Sequence, residues 1–166
     1  MKLLLALLTV FALSPTLWAS CLDKDFSACQ LAAKDGEADA QKELGSLYFT
    51  GEGVQQDFAQ ALHWYTLAAE QGHPVAIYNI GVLHDKGLGL KKDYKEAGKW
   101  YRKSADMGYS TAQYNLGIMY EYGQTVEEDH ARAMELYLKA AEQGEAAAQF
   151  AIGLMYDKGT GVDKDP

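Results

Sequence analysis

The sequence predicts an all-α solenoid of stacked helix pairs, and three observations carry that expectation. The first is a repeat of 36 residues: Ala40, Ala76, Ala112 and Ala148 fall one period apart, as do Gly45, Gly81, Gly117 and Gly153. The second is helical spacing within each unit. In "AQYNLGIMYEYG", Ala112, Leu116, Met119 and Tyr120 stand at i, i+4, i+7 and i+8, one apolar helix face. The third is a shared set of stop and start signals. Gly51, Gly87, Gly123 and Gly159 recur in register, and so do Asp57, Asp93, Asp129 and Asp165.

The elements follow in chain order. Residues 1–20 read as a secretory signal peptide: one positive charge at Lys2, an apolar run from Leu3 to Leu13, Pro15, and small residues before Cys21. The run is shorter than the roughly 20 residues of a transmembrane helix, and no later segment approaches that length. The chain is therefore expected to be exported, to the periplasm or the extracellular space. The whole chain carries a net charge of −8, and losing Lys2 with the leader makes it more acidic still. An acidic chain without a Lys/Arg cluster argues against nucleic acid and against anionic lipid as partners.

Cys21 and Cys29 are the only cysteines, and three readings stay open for them. They pair as a disulfide, which requires Cys21 to lie off the helix of Cys29. Eight residues along one helix span about 12 Å, beyond the roughly 7 Å that a bridge tolerates. Alternatively, "WASC" is a lipobox with Trp18 in the place usual for leucine, and Cys21 carries a lipid anchor as in an outer-membrane lipoprotein. In the third reading cleavage follows Ala19 and the cysteines carry no special role.

Residues 21–36 form a half-unit that caps the stack, since "SACQLAAKDG" repeats only the ending of the later units. Units follow at 37–72, 73–108 and 109–144, and residues 145–166 are an incomplete fourth. Helix A of each unit starts near residue 38, 74, 110 or 146 and runs about twelve residues to the Gly51-type stop. Asp57 and Asp93 read as N-caps of helix B, with Gln60 and Glu96 completing capping boxes, whereas Asp129 has Arg132 at the return position. Helix B carries Ala61, Trp64, Tyr65, Ala68 and Ala69 on one face and stops at Gly72, and Pro74 suits the first turn of the next helix A. The mid-helix Gly117 costs about 1 kcal/mol against alanine. Its recurrence is explained if helices A and B pack antiparallel and the glycine admits the Trp/Tyr face of its partner. Asp165 and Pro166 suit the start of a further helix B, without which Ile152, Met155 and Tyr156 lack a partner; the sequence is read as truncated there.

The pattern Ala-x-x-x-Leu-Gly-x-x-Tyr, then Gly-x-Gly-Val, then Asp-x-x-x-Ala-x-x-Trp-Tyr-x-x-Ala-Ala-x-x-Gly resembles the Sel1-like repeat, a relative of the tetratricopeptide repeat, in its exported bacterial type. The resemblance covers about residues 25–165. Thr125, Leu136 and His84 depart from it at a loop glycine, the helix B tryptophan and the helix A tyrosine. The resemblance implies a right-handed α/α superhelix with helix A on the concave side. It also implies a non-enzymatic protein-interaction scaffold or adaptor of the bacterial cell envelope.

With Ala40, Leu44, Gly45, Leu47 and Tyr48 marking the core columns, the remaining helix A positions face solvent or a partner. They are Lys42, Glu43, Ser46 and Phe49 in the first unit and Tyr78, Asn79, Val82 and Asp85 in the second. The third contributes Tyr114, Asn115, Ile118, Glu121 and Tyr122. Aromatics beside amides suit a peptide or protein partner of unknown identity, the amides bonding backbone and the rings supplying area. Tyr78, Tyr114 and Phe150 fit equally a role in packing one unit on the next.

No residue is expected to be catalytic, and no cofactor or metal is expected. His63, His73, His84 and His130 occupy different columns and show no metal-ligand spacing. "GEGV", "GLGL" and "GTGV" lack the G-K-[ST] of a phosphate loop, and "DKGTGVDKD" lacks the order of a calcium loop. Cysteine-rich exported members of the family imply one alternative, a penicillin binder with weak β-lactamase activity. Such chemistry in its usual serine form needs S-x-x-K, and the helical serines here open "SLYF", "SADM" and "STAQ". No cysteine follows Cys29, so the repeated disulfides of those members are missing too.

Overall fold

The computed structural model describes residue 21 and residues 25–124 and 127–160. These form eight helices: α1 (Phe26–Lys34), α2 (Ala38–Thr50), α3 (Phe58–Glu70), α4 (Pro74–Lys86), α5 (Tyr94–Asp106), α6 (Ser110–Glu121), α7 (His130–Glu142) and α8 (Ala146–Lys158). There is no strand among the described residues. Each helix packs on those before and after it in the chain, so the fold is an all-α helical repeat solenoid. Helix A of the sequence reading is α2, α4, α6 and α8, and helix B is α3, α5 and α7.

The ends of the helices are set locally. Gly51, Gly87 and Gly159 close α2, α4 and α8 in the left-handed region, at φ 77°, 68° and 68°. α6 stops one residue sooner, with Tyr122 as its cap; the loop position Thr125 lies outside the described residues. Asp57, Asp93 and Asp129 cap α3, α5 and α7 through their side chains. The expected capping boxes, however, do not close. The backbone N–H of Asp57 donates to the carbonyl of Tyr48 at 2.9 Å, that of Asp93 to His84 at 2.9 Å, and that of Asp129 to Tyr120 at 3.0 Å. A capping box would use that N–H for the side chain three residues on. Here it satisfies an orphan carbonyl at the end of helix A, leaving Glu96 to pair with Lys99 at 2.6 Å. This staple makes Arg132 acceptable where a glutamate would complete a box.

Helices A and B run antiparallel, as the pairings 48–57, 45–65 and 41–71 show. The recurrent glycine sits at their closest approach. A Cβ built on Gly45 would lie 2.7 Å from the ring of Tyr65, on Gly81 2.7 Å from Tyr101, and on Gly117 2.5 Å from Tyr137. The tyrosine, rather than the tryptophan, fills the gap. All three rings are almost fully buried. Toward the opposite end of the first and third pairs, a buried amide of helix A is matched to an exposed amide at the end of helix B. Gln71 donates to the Gln41 side chain at 2.8 Å and Gln143 to Gln113 at 2.9 Å, while Gln41 and Gln113 donate to the carbonyls of Ala33 and Ala105. The middle unit replaces both members together, with Ile77 and Met107. A buried amide without its partner would cost about 1–3 kcal/mol, so the pair changes as one.

At the amino-terminal end Cys21 and Cys29 form a disulfide with Cα atoms 4.4 Å apart. Cys21 is thus folded back onto α1, the geometry that a bridge requires. Both sulfurs are buried in the cluster of Ala40, Leu44 and Leu47. At the other end α8 keeps Met155 buried and Ile152 half-buried, but Tyr156, Leu154 and Phe150 are exposed. The leader of residues 1–20 and the expected restart at Asp165 and Pro166 lie outside the described residues. Among the described residues no helix is long and apolar enough to cross a membrane.

Candidate protein-binding surface

The helix A positions that the sequence sends outward are, apart from Tyr122, half-buried rather than free. Lys42 and Glu43 pair with each other at 2.7 Å. Phe49 meets Phe58 edge to face with centroids 5.7 Å apart, which fixes it to the start of α3. Tyr78 stacks on Tyr101 at 5.4 Å, meets Tyr109 at 5.3 Å, and accepts a hydrogen bond from the Asn115 amide at 2.9 Å. Tyr114 leans on Tyr137 at 5.7 Å, and Val82 and Ile118 pack partly on the same interior. Of the three aromatics with two open roles, Tyr78 and Tyr114 therefore pack within the stack, whereas Phe150 is 69% exposed.

The asparagines have internal partners as well. Asn115 holds Tyr78 across the unit boundary, and Asn79 hydrogen-bonds the Tyr65 hydroxyl, which also donates to Ser46 at 3.2 Å. Burial pushes the Tyr65 hydroxyl up to about 12, against the smaller lowering effect of those bonds. Burial likewise raises Tyr78, Tyr101 and Tyr137; Glu121 adds to the rise at Tyr137 by accepting its hydroxyl at 2.6 Å, and Asp85 adds to it at Tyr101. All these tyrosines are neutral at physiological pH.

The structure does bring several outward positions together. A cavity of about 260 Å³ opens where the ends of α4 and α5 meet α6, and Asp85, Asn115 and Ile118 line it. Tyr94, Tyr101 and Gln124, which periodicity alone does not single out, complete its polar wall. A carboxylate acceptor, a phenol donor and two amides around an apolar floor can hold one side chain and bond an extended backbone. Lys42, Glu43 and Phe49 lie at the first unit, away from this cavity.

A second feature went unmarked in the sequence reading. Lys95, Lys99, Arg102 and Lys103 fall at i, i+4, i+7 and i+8 of α5, one helix face, and all four line a cavity of about 470 Å³. The inference that an acidic chain holds no Lys/Arg cluster is therefore corrected: the cluster forms on a helix face rather than in a consecutive run. Two of the histidines have contacts within the fold. His73 caps α4 and contacts Asp39 at 2.9 Å, and His130 lies 3.0 Å from Glu128. Among the described residues no three His, Cys, Asp or Glu side chains converge as metal ligands would.

The Sel1 repeat family matches residues 38–73, 74–109, 110–145 and 146–166. The fold is also that of known structures. A protective antigen present in uropathogenic Escherichia coli strains, displaying an SLR fold, superposes with a TM-score of 0.81 at 40% identity, over 85% of this chain and 30% of its own. A Sel1 repeat protein from Oxalobacter formigenes gives 0.79 at 38% identity, over 84% and 57%. The Helicobacter pylori cysteine rich protein B shares the fold at 20% identity, with a TM-score of 0.62 over 79% and 94%. The chain thus spans less than two thirds of the first two structures. No curated protein matches it in sequence.

Proposed function

The chain belongs to the Sel1 repeat family, and on that premise we propose that it is an exported scaffold of the bacterial cell envelope that binds a peptide segment along its helix A face. Proteins of Sel1 repeats generally act as protein-interaction scaffolds, and the fold is typically non-enzymatic. The observation that carries the reading is the cavity of Asp85, Tyr101, Asn115 and Ile118. It sits where two units meet, so only the stacked array creates it. Its lining offers a carboxylate, hydroxyl and amide groups, and one apolar wall, the requirements of a peptide backbone with one anchoring side chain. The envelope assignment draws on the leader pattern and on the Cys21–Cys29 bridge, since disulfides persist in oxidising compartments. With its sulfur in the bridge, Cys21 has no thiol left for a lipid thioether, which favours a soluble exported protein.

A photo-crosslinking residue placed at Ile118 in the full chain should capture a partner in the envelope, and Asp85→Lys should abolish that capture while the helical melt is retained. Equal capture from a crosslinker at Leu31, exposed on α1, would overturn the surface assignment. Intact mass of the exported protein should show loss of residues 1–20 and of the two hydrogens of the bridge, whereas a diacylglyceryl gain would overturn the soluble reading.

A further inference from the structure

The chain is acidic overall, yet six of its 15 Lys and Arg residues line one trough. The cavity beside α5 and a second of about 370 Å³ between α5, α6 and α7 share Arg102, Asp106 and Leu116, so they form one continuous depression. One wall is Lys95, Lys99, Arg102 and Lys103, and the facing wall adds Arg132 and Lys139. Carboxylates do not cancel this charge. Asp106 lines the trough, Glu96 pairs with Lys99 and Glu135 with Arg132, so the cations still outnumber them two to one. Arg102 is held in place by the Tyr120 hydroxyl, to which it donates at 2.8 Å.

The floor is apolar, and a single residue opens it. Gly98 stands in the helix B column that Leu62 and Met134 fill in the neighbouring units, and it lines the larger cavity beside Leu116. The middle unit therefore lacks the side chain that the first and third units carry in this column. A cavity of 470 Å³ admits a bulky apolar side chain with room for the chain that carries it. The net charge of −8 disfavours a long polyanion or an anionic bilayer, which must approach a broad area, more than a short segment lying in the trough.

We propose that this trough, on the α5–α7 side of the array and separate from the helix A cavity, docks an acidic peptide segment of a partner protein. Its carboxylates lie between the cationic walls and one apolar side chain fills the space left by Gly98. The chemistry required is a glutamate- or aspartate-rich stretch interrupted by a leucine or phenylalanine.

The test uses the full chain and a fluorescein-labelled glutamate-rich peptide with one central phenylalanine, read by anisotropy at physiological salt. Lys95→Glu with Lys103→Glu should weaken binding by about tenfold or more. Gly98→Leu, which imitates the first unit, should remove the preference for this peptide over its serine-for-phenylalanine counterpart while the thermal melt stays cooperative. Unchanged binding by either variant overturns the proposal. So does equal competition by a single-stranded oligonucleotide or by phosphatidylglycerol vesicles, which would mark a non-selective polyanion surface. Self-association of the free protein that Lys95→Glu with Lys103→Glu dissolves would give the trough to a second copy instead.

Discussion

Gly117 and Gly153 stand at the same position of successive A helices and meet opposite surroundings. A Cβ on Gly117 would reach within 2.5 Å of the Tyr137 ring, whereas one on Gly153 would meet nothing within 4 Å. Both are mid-helix residues with the same intrinsic cost. The difference lies in the partner helix: α7 presses its tyrosine onto α6, and no helix among the described residues does so for α8. The glycine column is therefore half of a two-column arrangement. Its energetic value appears only where the tyrosine of helix B is in place.

Gly117→Leu should break the arrangement most severely, costing about 3 kcal/mol or more in denaturant melts, because the buried ring has nowhere to go. Gly117→Ala should still destabilise by about 1–2 kcal/mol, overpacking outweighing the gain in helix propensity. Gly153→Ala should do the reverse and stabilise by about 0.5–1 kcal/mol. A shared sign for the two alanine variants would show that the comparison misplaces the cause.

The same contacts predict an alkaline weakness. The Tyr65 hydroxyl titrates at about 12 in the folded chain against an ordinary value of 10.0. A raised folded value means that the native state holds its proton longer than the unfolded one. Stability is thus intact below pH 10 and falls between pH 10 and about 12, by about 2–3 kcal/mol for this group. Tyr65→Phe should make that part of the pH–stability curve shallower, while changes around Gly153 leave it unaltered.

The smallest effects concern the caps, where two neighbouring positions separate. Asp57→Ala should cost about 1 kcal/mol through its lost side-chain bonds. Gln60→Ala should cost no more than about 0.5 kcal/mol, as for an ordinary surface change, because the Asp57 N–H already donates to Tyr48. An equal loss from both would restore the reciprocal box.

Much of the fold is legible in the chain because its signals are short-ranged. The aspartate caps, the stop glycines and the apolar helix faces each involve residues within a turn or two of one another, and the 36-residue period repeats them. Register across four copies then reveals that the mid-helix glycine is structural. The basic face of α5 is equally local, and its i, i+4, i+7, i+8 spacing was there to be read. The matched exchange of Gln41 and Gln71 for Ile77 and Met107 is visible too, once the two columns are compared.

What only the tertiary structure decided is competition among groups that could each bond several partners. The N–H of Asp57 could bond Gln60 or Tyr48, and the antiparallel approach of α2 selects Tyr48. Asn115 lines the cavity beside Asp85, and the stacking of α6 beside α4 also gives its amide the Tyr78 hydroxyl as acceptor. Cys21 could be bridged, acylated or free, and its fold-back onto α1 selects the bridge. The facing wall of Arg132 and Lys139 joins α5 only because α6 holds the two B helices on either side of a shared floor. The sequence determined the helices and their repeat, since each depends on neighbours along the chain. The pairing of exposed polar groups and the gathering of charge depend on distances between helices, and those arise only when the array packs.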